Sequence, residues 1–206
     1  MMALTPLLPE NLRPGIADQV LERYRKAAGG PQGLFSYPTG REGLLGLKYP
    51  QEALDSLPEP VQDYSCAVGN PFAAGLPEAG QVVLDVGSGA GVDALVAAFY
   101  VGPGGRVAGL EFSPDMLARA EANAALSGVP TVSFQLGSAE QLPFVDASFD
   151  LLVSNGVYNL VLNKRQALAE AFRVLRPGGR LQVADQIMEE DAAPLLNPPD
   201  PGAWAT

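Results

Sequence analysis

An acid stands two residues ahead of three closely spaced glycines in the run Val82-Val83-Leu84-Asp85-Val86-Gly87-Ser88-Gly89-Ala90-Gly91-Val92-Asp93. A short apolar, β-branched stretch before the glycines reads as a strand buried on both faces. The glycines at alternate positions let the backbone turn sharply and leave no Cβ to block a ligand. The helix that follows, Val92 to about Tyr100, aims its first N–H groups at whatever lies over the turn. A second acid, Glu111, ends the next apolar run, Arg106-Val107-Ala108-Gly109-Leu110-Glu111. It lies about twenty residues beyond the turn, where a carboxylate can accept both hydroxyls of a ribose.

The spacing is G-x-G-x-G, whereas a dinucleotide fingerprint is G-x-G-x-x-G, its third glycine closing the helix–strand packing. With Asp85 so near, the turn suits a pyrophosphate less well than a ligand carrying positive charge. S-adenosylmethionine, with its ammonium and sulfonium, is such a ligand. The plain alternative is a glycine turn of an ordinary α/β protein, with Glu111 as a solvated strand end. A nicotinamide-dependent oxidoreductase fits less well, since no Tyr–Lys proton donor pair stands out.

The totals narrow the field. The chain has 206 residues, 47% hydrophobic and 17% charged, enough for one domain with a core and a modest extension. A formal net charge of −10 without any Lys/Arg run argues against a nucleic-acid partner. Histidine is absent, which removes the commonest general base and metal ligand, and no metal site is expected. The lone cysteine, Cys66, fits a reducing compartment. It has no histidine to activate it as a nucleophile. The N-terminus has no signal-peptide pattern, and the longest apolar run, Ala94 to Val101, is too short for a bilayer. The expectation is a soluble, cytoplasmic protein without a membrane partner.

The elements that must position these residues follow in order. Residues 1–15 carry Pro6, Pro9 and Pro14 and read as an irregular arm. Ile16 to about Ala28 reads as a helix, with Ile16, Val20, Leu21 and Tyr24 on one face. Tyr24 is a helix-face packing residue or, as a weaker alternative, a cover over a substrate pocket. The Gly/Pro-rich stretch 31–80 allows short helices near Arg41–Gly46 and Gln51–Leu57. It concentrates Phe35, Tyr37, Tyr49, Tyr64 and Phe72, which line a pocket or pin a cap down.

From Gly80 strands and helices alternate, predicting an α/β, Rossmann-like, doubly wound and mostly parallel sheet with helices on both faces. The strands are Val82–Val86, Arg106–Phe112, Thr131–Leu136, Phe149–Ser154 and Arg180–Ala184. Ser113-Pro114-Asp115 reads as an N-cap, a first-turn proline and a first-turn acid for a helix that stops at Gly128 and carries Met116, Leu117, Ala120 and Ala124 inward. Asp93, at the first helical turn, reads as a cap of its own helix rather than as a ligand contact. A helix from about Lys164 to Leu175 ends at Pro177-Gly178-Gly179. The domain reading is a helical or irregular N-terminal cap over 1–79, a core over 80–188 and a Pro-rich tail over 189–206. Ligands of such sheets sit outside the carboxyl ends of the strands. Those ends carry Gly87, Glu111, Ser138-Ala139-Glu140, Ser154-Asn155 and Asp185.

Four motifs in order now resemble a known family. Val83-Leu84-Asp85-Val86-Gly87-Ser88-Gly89-Ala90-Gly91, Glu111-Phe112-Ser113-Pro114-Asp115-Met116-Leu117, Ala139-Glu140-Gln141-Leu142-Pro143-Phe144 with Ser148-Phe149-Asp150, and Arg173-Val174-Leu175-Arg176-Pro177-Gly178-Gly179 are similar to those of class I S-adenosylmethionine-dependent methyltransferases. The resemblance covers residues 80–186. It implies that Asp85, Gly87, Ser88, Gly89 and Gly91 hold the methionine part. It also implies that Glu111 holds the ribose, that Ala139 and Glu140 flank the adenine and that Asn155 borders the methyl donor, with Phe112, Met116, Ser138 and Gly156 among the cofactor-binding residues.

Gly69-Asn70-Pro71 and Ser154-Asn155-Gly156-Val157-Tyr158-Asn159-Leu160 resemble more closely the arsenite methyltransferases. That group carries cysteines where this chain has Val68 and Gly156. A soft metalloid needs several thiolates, and Cys66 is one, so arsenite is not the expected acceptor. Quinone- and small-molecule-methylating relatives share the pattern without the thiols.

The expected activity is therefore methyl transfer from S-adenosylmethionine to a small molecule by in-line displacement, with the protein supplying position and desolvation. Tyr158 and Asn159, after strand 4, are substrate candidates. No catalytic base is assigned. The alternative is a non-catalytic cofactor-binding or partner subunit. No two further strands fit after Ala184, which predicts a truncated form, a homo-oligomer or a partner subunit over the open sheet edge.

Overall fold

The computed structural model describes residues 13–187. The segments 1–12 and 188–206, with most of the expected arm and all of the Pro-rich tail, lie outside the described residues. The first helix, α1 (Arg13–Ala27), begins three residues earlier than the periodicity suggests. Pro14 falls in its first turn, where a missing N–H and a fixed φ cost nothing. Three short helices follow: α2 (Gly40–Gly46), α3 (Gln51–Asp55) and α4 (Glu59–Gln62), then a 3-10 turn at Pro71–Ala74. The sequence reading has no counterpart for α4, whose four residues are too few to show a period.

The core alternates as β1 (Val82–Val86), α5 (Val92–Val101), β2 (Arg106–Glu111), α6 (Pro114–Ser127), β3 (Val132–Leu136), β4 (Phe149–Asn155), α7 (Lys164–Val174) and β5 (Leu175–Ala184). The sheet is parallel throughout, in the order β3-β2-β1-β4-β5. The order reverses at β1, so β1 and β4 part above the glycine turn and leave the crevice that such sheets use for ligands.

Boundaries differ from expectation in places with clear causes. The second strand stops at Glu111, because the Glu111 side chain takes the Ser113 N–H and bends the chain there. Phe112 is thus a loop residue, about half exposed. The last strand begins at Leu175. Phe149 pairs with Leu175 and Leu151 with Arg180, so the Pro-Gly-Gly turn interrupts the ladder instead of preceding it. Helix α6 is bounded as its motif predicts. Ser113 Oγ accepts the Met116 N–H, and Gly128 closes the helix in the left-handed region.

Both faces of the sheet are covered. On one face Val83, Val107, Leu151 and Val153 meet α5 together with Leu44, Tyr49, Leu54, Val61 and Phe72. Residues 44–72 therefore share an apolar core with the sheet. On the other face Leu84, Val86, Leu110 and Leu152 meet Ala171 and Val174 of α7. Arg173 of α7 pins the following side of that face. It donates to the carbonyls of Phe144 and Leu142 and pairs with Glu170 and Asp146. Among the described residues β5 has a neighbour on one side only, and Leu181, Val183, Leu168 and Phe172 are exposed beside it.

Candidate active site

Asp85 is the next-to-last residue of β1, and its carboxyl is buried. It accepts the Ala94 N–H, while Oδ2 meets no donor among the described residues. Burial, with Asp93 and Glu111 close by, pushes this carboxyl well above the usual range. The glycine turn is held tightly beside it. The N–H groups of Gly87 and Ser88 both donate to the Leu110 carbonyl, at 2.7 and 3.0 Å, and Asn123 Nδ2 donates to the Ala90 carbonyl at 2.9 Å. Two of the glycines are required by space as well as conformation. Gly87 has φ +73°, and a Cβ there would fall 2.2 Å from a Val157 methyl carbon; at Gly91, with φ +85°, it would meet the Phe134 ring at 2.7 Å.

Glu111 reaches the same turn from β2. One oxygen accepts the Gly89 N–H and the other the Ser113 N–H, both at 2.8 Å. Burial raises its carboxyl, and these backbone donors pull it back.

Between the turn and the cap lies a recess of about 50 Å³. Its floor is Asp85, Gly87, Ser88, Gly89, Ala90, Val92 and Asp93, with Asn155 at the side. Its roof is Tyr64, Ser65, Cys66 and Ala67. Whole-ligand pockets run to about 300 Å³ or more, so the recess is the size of a ligand's charged end rather than of a nucleoside. No lining residue is basic. Among the described residues Asp85 Oδ2 is buried and without a hydrogen-bond partner, and Ser88 Oγ, likewise unpartnered, lies against Gly109 of β2. A buried acidic acceptor beside a recess without a basic residue fits an ammonium-bearing ligand. The Cys66 thiol on the roof is pushed up to about 12, chiefly by burial and then by Glu111 and Asp93.

Asp93 does not cap its helix. Gly91 is the N-cap and offers no side chain; the Asp93 carboxylate instead accepts the Tyr49 hydroxyl at 2.7 Å and Asn155 Nδ2 at 3.0 Å. Burial raises it to about 6 against those two hydrogen bonds.

The structure brings together Asp85, Gly87, Ser88, Gly89, Asn155 and, through Gly89, Glu111. Gly91 shapes the turn from below. Met116 is fully buried beneath it, with Ala90 and Ala28. Gly156 follows Asn155 with φ +68°. Phe112 and the loop Ser138, Ala139 and Glu140 lie outside the recess. Glu140 Oε1 accepts the Asn163 N–H, and Ser138 Oγ accepts the Glu140 N–H. Tyr158 and Asn159 also lie outside it. Tyr158 is buried, which pushes its hydroxyl up to about 12, and the Asn159 N–H is bound to Asp185. Tyr24 packs against Phe35, with ring centroids 6.3 Å apart. Sequence reasoning missed the pairing of Asp93 with Tyr49. Its one signal is an acid in the first turn of a helix otherwise built for burial.

A profile of the methyltransferase domain matches residues 77–196. The chain belongs to the class I S-adenosylmethionine-dependent methyltransferases. It is 37% identical over 158 residues to an arsenite methyltransferase of Halobacterium salinarum, an overlap of 77% of this chain and 40% of that protein. To a demethylmenaquinone methyltransferase of Listeria monocytogenes it is 37% identical over 106 residues, 52% of this chain and 45% of that one. An arsenic(III) S-adenosylmethionine methyltransferase from Chlamydomonas reinhardtii has a similar structure over 74% of this chain and 56% of its own, with TM-score 0.62 and 34% identity. The chain spans less than half the length of the two curated relatives. The cofactor of this methyltransferase family is S-adenosylmethionine, and the acidic, base-free recess suits its cationic end.

Proposed function

We propose that this methyltransferase domain, with residues 1–79 as cap and 80–188 as core, transfers a methyl group from S-adenosylmethionine to a small carbon, oxygen or nitrogen acceptor. The observation that carries the reading is the unpartnered Asp85 Oδ2 in a buried recess without a basic residue. When bound, the cofactor supplies an electrophilic methyl on a sulfonium. The chain's own residues do the rest. Asp85 faces the ammonium, Ser88 and the glycine turn lie beside the methionine backbone, and Glu111 turns its remaining lone pairs toward the ribose. The loops at Phe112 and Ser138–Glu140 lie where the adenine would extend. Roof residues 64–67 keep water from the charged end, which strengthens these contacts.

Arsenite is disfavoured as acceptor. The two positions that carry cysteines in the arsenite group lie against each other here, a Cβ on Gly156 falling 3.2 Å from Val68 Cγ2, and neither side chain bears sulfur. Cys66 alone gives one ligand, held protonated by burial. With no histidine in the chain and Asp93 engaged, an acceptor that arrives already nucleophilic, as a phenolate or amine does, suits the site best; one that needs a base would draw on a carboxylate or a tyrosine. Tyr158 and Asn159 serve as wall residues in this reading.

No helix among the described residues is long and apolar enough to cross a membrane. The lone thiol supports a reducing compartment such as the cytoplasm. We further propose that another chain or segment covers the β5 edge, since an open edge next to apolar side chains invites pairing.

The test is a calorimetric titration with S-adenosylhomocysteine and, in parallel, NAD. The expected result is binding of the first alone, followed by turnover on a panel of phenols, quinols and amines with arsenite as control. Binding of NAD alone, or of neither, overturns the reading.

A further inference from the structure

Cap and sheet meet at the side of the recess through one knot of hydrogen bonds. Asn155, at the end of β4, is its centre. Its Oδ1 accepts the N–H groups of Val68 and Gly69, at 3.1 and 3.2 Å. Its Nδ2 faces the Gly69 carbonyl at 2.8 Å, Tyr49 Oη at 2.9 Å and Asp93 Oδ2 at 3.0 Å. Two amide hydrogens thus serve three acceptors, and none is left for a ligand. The amide cannot be turned over, because that would set its NH₂ against two backbone donors. Tyr49 donates to Asp93 Oδ1 at 2.7 Å, and its hydroxyl also lies 3.2 Å from the Gly69 carbonyl. Asp93 therefore accepts on both oxygens, an arrangement that suits the ionised carboxylate.

The place of this knot gives it a role beyond stability. Asn155 and Asp93 border the recess, and the backbone they hold, Val68–Gly69, directly continues the roof segment 64–67. Tyr49 stands behind them, outside the recess, with its ring against Phe72.

We propose that Tyr49 and Asp93 are positioning residues that fix the Asn155 amide and, through it, the Val68–Gly69 backbone, so that the roof stays folded over the charged end of the cofactor. The part of this that concerns the cofactor rests on the reading under Proposed function; the knot itself does not. Asp93 is faced by Tyr49 from the segment after α2, by Asp85 from β1 and by Cys66 from the roof, with Glu111 of β2 beyond Asp85. No lining residue of the recess offsets these acids with a positive charge. A proton gained by Asp93 removes one of its two acceptor positions and loosens the knot. Tyr49 and Asn155 resist that proton by donating to the carboxylate.

Tyr49→Phe tests the proposal with the ring packing retained. In the ligand-free protein, amide hydrogen exchange of the peptide spanning Val68 and Gly69 is expected to speed up about tenfold, as protection falls with the local hydrogen bonds. S-adenosylhomocysteine is expected to bind several-fold more weakly, and the pH below which binding fails is expected to move upward, because the carboxylate has lost a donor. A merely structural role lowers affinity without moving that pH. Unchanged exchange together with an unchanged pH midpoint overturns the proposal. If the wild-type protein binds no S-adenosylhomocysteine at any pH, the cofactor reading fails, and the exchange comparison alone decides the knot. Should Tyr49→Phe not fold, Asn155→Asp, which sets a second carboxylate against Asp93, is expected to raise the same exchange rates; unaltered rates there overturn the proposal equally.

Discussion

Glu111 accepts the backbone N–H of Gly89 at 2.8 Å, so the acid of the second strand braces the glycine turn of the first before any ligand arrives. Its other oxygen holds Ser113, the cap of α6. One side chain thus sets the spacing of turn, strand end and helix start. Removing it leaves two backbone donors unsatisfied. Glu111→Ala is expected to lower stability to urea by about 2 kcal/mol, the scale of unpaired buried groups. It is expected to weaken S-adenosylhomocysteine binding by at least about 1 kcal/mol, measured by calorimetry. Glu111→Gln keeps one acceptor and should fall between the two. A stability equal to wild type in Glu111→Ala would show that the turn holds itself.

The buried acids make an unusual pH dependence. Asp85, Asp93 and Glu111 are all raised, chiefly by burial. For an acid raised in the folded state, the native protein binds the extra proton, so stability is fullest below the unfolded value and is lost as pH climbs through the folded one. For Asp93 that window runs from 3.8 to about 6. Asp150 and Glu170 act in the opposite sense. Against burial, the Val82 N–H and Arg176 lower the first, and Arg173 chiefly lowers the second, so their contribution is lost as pH falls. The melting temperature of the ligand-free protein should therefore rise as pH drops from 8 toward 5 and fall again below about 4. Asp93→Asn should flatten part of that rise. A melting temperature highest at pH 8 would contradict the burial of these three groups.

The crevice was legible because its parts are local. A β-branched run, alternate glycines, an acid at each of two strand ends and a Ser-Pro-Asp helix start each announce themselves within a few residues. The sheet followed from their alternation. What did not show was the contact between segments far apart in the chain. Asp93 looks like a helix-terminus acid, since a first-turn carboxylate is favourable there. Only the fold reveals that Tyr49, 44 residues earlier, and Asn155, 62 later, take both its oxygens. The cap residues Tyr64–Ala67 carry no periodic signal, so their place over the turn was invisible. The Pro-Gly-Gly turn misled in the other direction. It reads as a strand boundary, yet the ladder resumes across it with a shift in register.

Gly91 offers a test of packing beneath the site. Its φ of +85° disfavours any side chain, and an added Cβ would press on the Phe134 ring at 2.7 Å and on Ala120 Cβ at 3.2 Å. Gly91→Ala should cost about 2 kcal/mol or more, from backbone strain and overpacking together. Urea unfolding of this variant beside Gly128→Ala separates the two terms. Gly128 has φ +64° with open space around it, so it should show the conformational term alone. Equal losses in the two variants would mean that β3 and α6 yield freely around position 91.

Cys66 reports directly on the roof of the recess. Its thiol is pushed up from 9.0 to about 12, first by burial and next by Glu111 and Asp93. A rise of that size lowers the thiolate fraction at pH 8 about a thousandfold, and the thiolate is the species that reacts. Alkylation by iodoacetamide should therefore be slower than that of a free cysteine by about that factor and should recover fully in denaturant. Because Cys66 and Gly89 line the same recess, S-adenosylhomocysteine should slow the reaction further, in step with its occupancy. Asp85→Asn should abolish that protection by removing the carboxylate that the ligand's ammonium would face, while leaving Cys66 itself in place. Protection that survives in Asp85→Asn would put the charged end of the ligand somewhere other than this recess. Rapid alkylation of the native protein would show that segment 64–67 spends most of its time away from the glycine turn.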